Sequence, residues 1–245
     1  MQSTWNSGRE GTVLRKKTIG ILGGMGPMAT VDLYKKIIDH TPAESDSEHI
    51  HVCIDSNTAI PDRTAAILYG GPDPVPEMVR SAILLEAMGA DFLIMPCNTA
   101  HYFYDRVARM VRIPILDMLE ETAHEAAKRG MSCVGLLATD GTIRSGVYER
   151  AMEPYGIKVL YPSETKQRHV MDLIYKGIKA GNYQLDLSGF YSALDELELS
   201  GAETLILGCT ELPLAFSMFA IDRDNIDPTL VLAKRAIEMA LNKGE

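Results

Sequence analysis

Residues 88–101 read MGADFLIMPCNTAH, and residues 200–213 read SGAETLILGCTELP. Laid one over the other, Gly89 falls on Gly201, Ala90 on Ala202, Asp91 on Glu203 and Cys97 on Cys209. Each stretch holds a short apolar run with the length and composition of a buried parallel strand. Each run stops at Pro96 or Gly208, and a cysteine follows. Small polar residues able to open a helix come next. The pair predicts two related halves, each carrying a thiol at the end of a strand.

Matches extend outward from this pair. Thr18–Leu22 (TIGIL) aligns with Cys133–Leu137 (CVGLL), and His51–Ser56 (HVCIDS) resembles Lys158–Ser163 (KVLYPS). Asp117 and Asp227 each follow the last short apolar segment of their half. Four matching segments in the same order point to duplication. Between the strands lie helical patterns, predicted over Met28–His40, Pro76–Met88 and Phe103–Val111, with a fourth short strand at Ile113–Leu116. Alternating strands and helices imply α/β architecture, each half a mostly parallel sheet flanked by helices. The first domain is expected over residues 17–116, completed by the C-terminal helix within 228–245. The second is expected over 117–227. Residues 1–16 read as a polar tail. In open parallel sheets ligands sit at the carboxyl ends of the strands. A pseudo-twofold relation of the halves would point both cysteines into one shared cleft.

Composition narrows the function. The 245 residues are 46% hydrophobic, enough for real cores, and the net charge of −9 argues against nucleic acid as a partner. Neither a secretory leader nor a membrane-spanning apolar stretch is expected. Four scattered cysteines (53, 97, 133 and 209) make no disulfide framework, and no Cys-x-x-Cys or paired-histidine spacing predicts a metal site. The simplest placement is the reducing cytoplasm, with free thiols. An acidic protein that binds an anion must supply local cations, which draws attention to individual Arg and Lys residues.

Two thiols facing one carbon suit inversion of a stereocentre. One group removes a proton from one face while the other delivers a proton to the opposite face, and the roles exchange for the other enantiomer. A helix N-terminus after each cysteine would favour the thiolate. Asn98, Thr99 and Thr210 offer donors for a carboxylate and for the charge that develops on deprotonation. Taken singly, each cysteine also reads as an ordinary buried thiol. Their repetition at strand ends favours function, whereas Cys53 and Cys133 lie inside apolar strands and read as core. The loop Gly24-Met25-Gly26-Pro27-Met28-Ala29 fits a G-x-G-x-x-A dinucleotide fingerprint. The matching turn in the second half, Ala138-Thr139-Asp140-Gly141-Thr142, lacks it. A small anionic ligand therefore ranks above a dinucleotide. Arg63, in Pro61-Asp62-Arg63-Thr64, reads either as a carboxylate-binding fork or as a solvated loop residue. Lys179 reads as a ligand or as a helix-end lysine. His101 could assist proton transfer or be structural, and Glu211 could orient groups near Cys209 or favour its helix start.

Three motifs together resemble the aspartate/glutamate racemase family: Gly23-Gly24-Met25-Gly26-Pro27, Pro96-Cys97-Asn98-Thr99-Ala100-His101 and Gly208-Cys209-Thr210-Glu211. The resemblance covers nearly the whole chain from Lys17. It implies two similar α/β domains with the active site between them, no pyridoxal phosphate, no metal and commonly a homodimer. It also implies Cys97 and Cys209 as the acid/base pair. Within the family the chain looks most like aspartate racemase. By that resemblance Arg63 and Lys179 bind the side-chain carboxylate of an acidic amino acid. Asn57, Asn98, Thr99, Thr139 and Thr210, with the Met25-Gly26 loop, surround its α-amino and α-carboxylate ends. A broader amino acid racemase and a cis–trans isomerase of a small dicarboxylate remain as alternatives. A sensor that closes on an acidic amino acid is the non-enzyme alternative.

Overall fold

The computed structural model describes residues 15–241; most of the expected polar tail and residues 242–245 lie outside that range. The first half runs β1 (Ile19–Gly23), α1 (Pro27–His40), β2 (Val52–Ser56), α2 (Arg63–Leu68), α3 (Val75–Ala87), β3 (Phe92–Ile94), α4 (Tyr104–Ala108), β4 (Ile115–Leu116) and α5 (Met118–Lys128). The second half runs β5 (Cys133–Ala138), α6 (Asp140–Ser145), α7 (Val147–Met152), β6 (Lys158–Leu160), α8 (Glu164–Asp172), α9 (Ser188–Leu199), β7 (Thr204–Gly208), α10 (Leu212–Met218), β8 (Asn225–Ile226) and α11 (Pro228–Ala240). All strand pairs are parallel. The two four-stranded sheets have the same order, β2-β1-β3-β4 and β6-β5-β7-β8. The two-sheet α/β architecture expected from the repeated segments is the one observed.

The correspondence reaches single atoms. Gly89 and Gly201 both adopt positive φ, 92° and 100°, just after the helices that precede β3 and β7. Glycine is the residue that makes this turn without a steric penalty. The next acidic residue then accepts a backbone N–H from beside the first strand of its sheet: Asp91 from Thr18, and Glu203 from Ser132. Asp117 and Asp227 each cap the following helix by accepting from its second and third residues.

Each sheet is covered on both faces, which explains the near-continuous apolar strands. On the first sheet, α3 packs against Leu22 and Leu93 on one side. On the other, Leu33 and Ile37 of α1 meet Leu232, Ala233, Ala236 and Ile237 of α11. On the second sheet, Leu119, Ala123 and Ala126 of α5 meet Val134, Leu136, Tyr148 and Met152. The chain therefore exchanges its closing helices. The helix after the first sheet covers the second, and the helix after the second covers the first. The halves also touch near the strand ends, where a side chain added at Gly141 of α6 would lie 2.9 Å from the Thr64 backbone of α2.

Several element ends differ from expectation, β4 among them, which starts at Ile115 rather than Ile113. The helix after Cys97 begins as a tight 3-10 turn over Thr99–Phe103 and ends at Ala108 rather than Val111. The strand at 158 stops at Leu160. β3 stops at Ile94, so Cys97 lies beyond the strand rather than at its last residue, whereas Cys209 directly follows β7. Pro96 has no N–H to extend the ladder. The Cys97 N–H turns back onto the Met95 carbonyl at 2.9 Å.

Candidate active site

Both sheets present their carboxyl ends to one small cleft. Cys97 and Cys209 line it and are 6% and 7% exposed. The free volume is about 10 Å³, room for roughly one water. Arg63, Asn98 and Thr99 come to it from the first half, with Met25 of the loop after β1. Thr139, Lys179, Thr210 and Glu211 come from the second.

Arg63 opens α2, which Asp62 caps by accepting the Ala65 N–H at 2.7 Å. The guanidinium is buried and held rigidly by backbone. Nη1 donates to the carbonyls of Ile60 and Pro61 at 3.3 and 2.9 Å, and Nη2 donates to Met25 at 3.2 Å. Its Nε is buried without a partner among the described residues. Burial, the largest single influence, opposes the charge on Arg63, but Cys97, Asp62 and Tyr175 together outweigh it and hold the group above its usual range.

The second thiol keeps different company. Cys209 donates to Glu211 Oε2 at 2.9 Å. Burial first, and then the Glu211 carboxylate, push the Cys209 thiol well above the ordinary range, while Lys179 pulls the other way. Lys179 follows a π-helical turn, Leu173–Ile178, that extends α8. Such turns are frequent at functional sites. Its Nζ sits 3.5 Å from Glu211 Oε1 and 5.1 Å from the centre of the Tyr175 ring. Burial lowers the Lys179 pKa, and Glu211, Cys209 and Cys97 together more than reverse that, so the ammonium persists.

Hydroxyls close the floor of the cleft. Thr99 lies 3.0 Å from Thr139 and 2.8 Å from Thr142, and Thr139 and Thr142 are 3.1 Å apart. Thr64 donates to Thr139 at 3.5 Å. These contacts join the two halves. Asn98 is buried, and its Nδ2 has no partner among the described residues. Two unpartnered donors, on Arg63 and Asn98, at one cleft suit an anion.

Three expected site residues are placed elsewhere. Asn57 does not line the cleft. Its amide donates to Glu77 and Ser81 and accepts from the Ala59 N–H, which stiffens the loop after β2. Gly26 also lies off the lining, with a Cβ position 3.4 Å from Glu211 Oε1. His101 has both ring nitrogens on backbone: Nδ1 donates to the Cys97 carbonyl at 2.9 Å and Nε2 accepts the Met118 N–H at 3.2 Å. That ring clamps the Cys97 turn to the start of α5 and has no nitrogen left to move a proton to substrate. The glycine fingerprint has a local explanation too. Gly24, at φ 89°, passes within 2.5 Å of the Asn57 backbone at its Cβ position, which no side chain tolerates.

Sequence reasoning missed Asp62, Thr64 and Tyr175, which line the cleft, and Thr142 just behind it. Thr64 adjoins Arg63, and Tyr175 precedes Lys179 by one helical turn. Those neighbours were the only signal.

Comparison with known proteins agrees with this geometry. Residues 22–236 match the family described as Asp/Glu/Hydantoin racemase. The broad specificity amino-acid racemase RacX of Bacillus subtilis (strain 168) is 28% identical over 228 residues, covering 91% of this chain and 98% of that protein. The aspartate racemase of Picrophilus torridus superposes with a TM-score of 0.82 at 31% identity, over 91% of this chain and 94% of the other. An aspartate racemase homologue from Pyrococcus horikoshii OT3 gives 0.72 at 27% identity, over 92% and 99%. A match over most of the length, on a fold with two equivalent thiols at one cleft, places this chain in the Asp/Glu/hydantoin racemase family.

Proposed function

We propose that this racemase interconverts L- and D-aspartate without pyridoxal phosphate or metal, using Cys97 and Cys209 as a two-base pair. The observation that carries the reading is the joint presence of both thiols, the buried guanidinium of Arg63 and the partly exposed ammonium of Lys179 around one cleft. Two thiols serve the two faces of the α-carbon. Two cations beyond the hydroxyl and amide donors suit a substrate with a second carboxylate. The likeness to an aspartate racemase at 31% identity supports the same substrate.

In the resting enzyme Cys209 keeps its proton and donates it in a hydrogen bond to Glu211. Cys97, beside Arg63, removes the α-proton of one enantiomer while Cys209 protonates the opposite face. The other enantiomer reverses the roles. Asn98, Thr99 and Thr210 hold the α-carboxylate and stabilise the enolate-like charge. A second carboxylate displaces Glu211 from Lys179 or shares its ammonium. The second reading, broad amino acid specificity, is favoured by the likeness to RacX over nearly its full length. The protein is proposed to act as a homodimer in the cytoplasm, with its four cysteines as free thiols. Sedimentation of the reduced protein as a monomer would remove the dimer. Among the described residues no helix is long and apolar enough to cross a membrane.

The test is proton NMR of L- and D-aspartate in D₂O with reduced enzyme and no added cofactor, beside L-glutamate, L-alanine and maleate. Loss of the aspartate α-proton with growth of the other enantiomer is expected. Equal exchange of alanine would transfer the reading to a broad racemase. Conversion of maleate to fumarate alone would transfer it to a dicarboxylate isomerase.

A further inference from the structure

We propose that Tyr148 is a positioning residue for the reaction: its phenol locks the Asn98 amide so that Nδ2 stays turned toward the substrate. The inference rests on the racemase reading of the same cleft. Tyr148 lies on α7 of the second half and is 0% exposed, and its hydroxyl donates to Asn98 Oδ1 at 2.6 Å across the domain boundary. In that arrangement Oδ1 faces the phenol and Nδ2 faces away from it. With Oδ1 occupied, the unpartnered Nδ2 is the end left for a ligand. An amide free to rotate would present oxygen or nitrogen to the carboxylate, and only nitrogen stabilises negative charge. The phenol keeps its proton and can donate it. Burial first, and then the carboxylates of Asp117 and Asp227, hold its pKa well above the ordinary range, with Thr122 opposing.

The repeat argues that packing alone does not require this tyrosine. Counted from the matched first strands, Tyr148 falls where Leu33 falls in the first half. Counted from the matched capping aspartates, Thr122 falls where Leu232 falls. In the first half those two positions are leucines in one apolar core. In the second half they are a tyrosine beside a threonine. The polar pair occurs on the side from which Asn98 is reached. The residue matching Asn98, Thr210, has no amide to orient.

The test combines Tyr148→Phe, Asn98→Ala and the double variant, each checked for unchanged Tm, with kcat and KM measured for aspartate in both directions. Tyr148→Phe is expected to lower kcat about 10-fold with KM little changed, because the donor is loosened rather than removed. Asn98→Ala is expected to lower it about 10²-fold, as for loss of one oxyanion donor. The double variant should be no slower than Asn98→Ala alone, since the tyrosine acts through the asparagine. Wild-type kcat in Tyr148→Phe, or losses that multiply in the double variant, would overturn the proposal. Should Tyr148→Phe fail to fold, Asn98→Asp serves instead. It keeps an acceptor for the phenol, removes the donor and adds a negative charge, so it should be at least as slow as Asn98→Ala, and wild-type turnover there overturns the idea. A wild-type enzyme that exchanges no aspartate α-proton would sink the racemase reading first, and this inference with it.

Discussion

Cys97 and Cys209 stand at equivalent points of two halves with the same sheet order, yet their surroundings have opposite character. Cys97 lies beyond the end of its strand, in a turn clamped by His101, with a buried guanidinium beside it. Cys209 directly follows its strand and donates to a carboxylate. The fold supplies two thiols by symmetry, and the neighbouring residues break that symmetry. A two-base racemase has at each moment one thiol with a proton and the other without, and the opposite arrangement for the other enantiomer. Unequal neighbours weight those two arrangements differently.

The comparison breaks most severely if either thiol is dispensable. Cys97→Ser and Cys209→Ser should each lower aspartate racemisation by about 10²–10⁴-fold, the usual worth of a positioned acid or base. Circular dichroism of the reaction mixture measures it, and near-normal activity in either variant would end the two-base mechanism. Next in size is Arg63→Ala. Loss of a charge-assisted bond of about 1.5–3 kcal/mol predicts a fall in kcat/KM of about 10–10²-fold for aspartate. An equal fall for alanine would show that Arg63 serves the shared end of the substrate or the Cys97 thiol rather than the second carboxylate.

Glu211→Gln sharpens the contrast between the thiols. The Cys209 pKa is raised by burial and then by Glu211, so the protonated thiol persists above the ordinary thiol range. The alkaline limb of kcat/KM reports loss of that proton. Removing the carboxylate removes one raising influence, so the limb should move to lower pH. An unmoved or upward-moved limb would separate Glu211 from Cys209. The smallest effect concerns the caps. Asp117→Ala should cost about 1 kcal/mol of stability. Asp227→Ala should cost more, since its other oxygen also holds Lys36 at 2.6 Å. Denaturant midpoints compare them, and equal losses would make the Lys36 pair energetically silent.

Much of this was legible in the chain because the halves repeat. Glycine at a forced turn, an acid, an apolar run and a cysteine survive as text when the rest has drifted. Contacts that join distant segments leave no such trace. Nothing local tells that Tyr148 reaches Asn98, or that Thr142 meets Thr99. Asn57 misled for the same reason. A polar residue at the carboxyl end of a strand reads as a ligand, but its partners Glu77 and Ser81 lie on another helix. His101 looked like a proton carrier because the residue type invites it, while the backbone groups that occupy its ring come from the turn before it and from α5.

The exchanged closing helices set an order on synthesis. The sheet made first owes one of its faces to α11, which follows β4 by about 120 residues. At about 5–20 residues per second, that sheet waits on the order of 6–25 s on the ribosome with Ile19, Ile21, Phe92 and Ile94 lacking their final cover. The second sheet receives α5 before its own strands are made, so it can close first. A fragment ending at Leu116 should accordingly stay unfolded in protease digestion, and adding a peptide of α11 should protect it. The enzyme is in this sense finished from its far end.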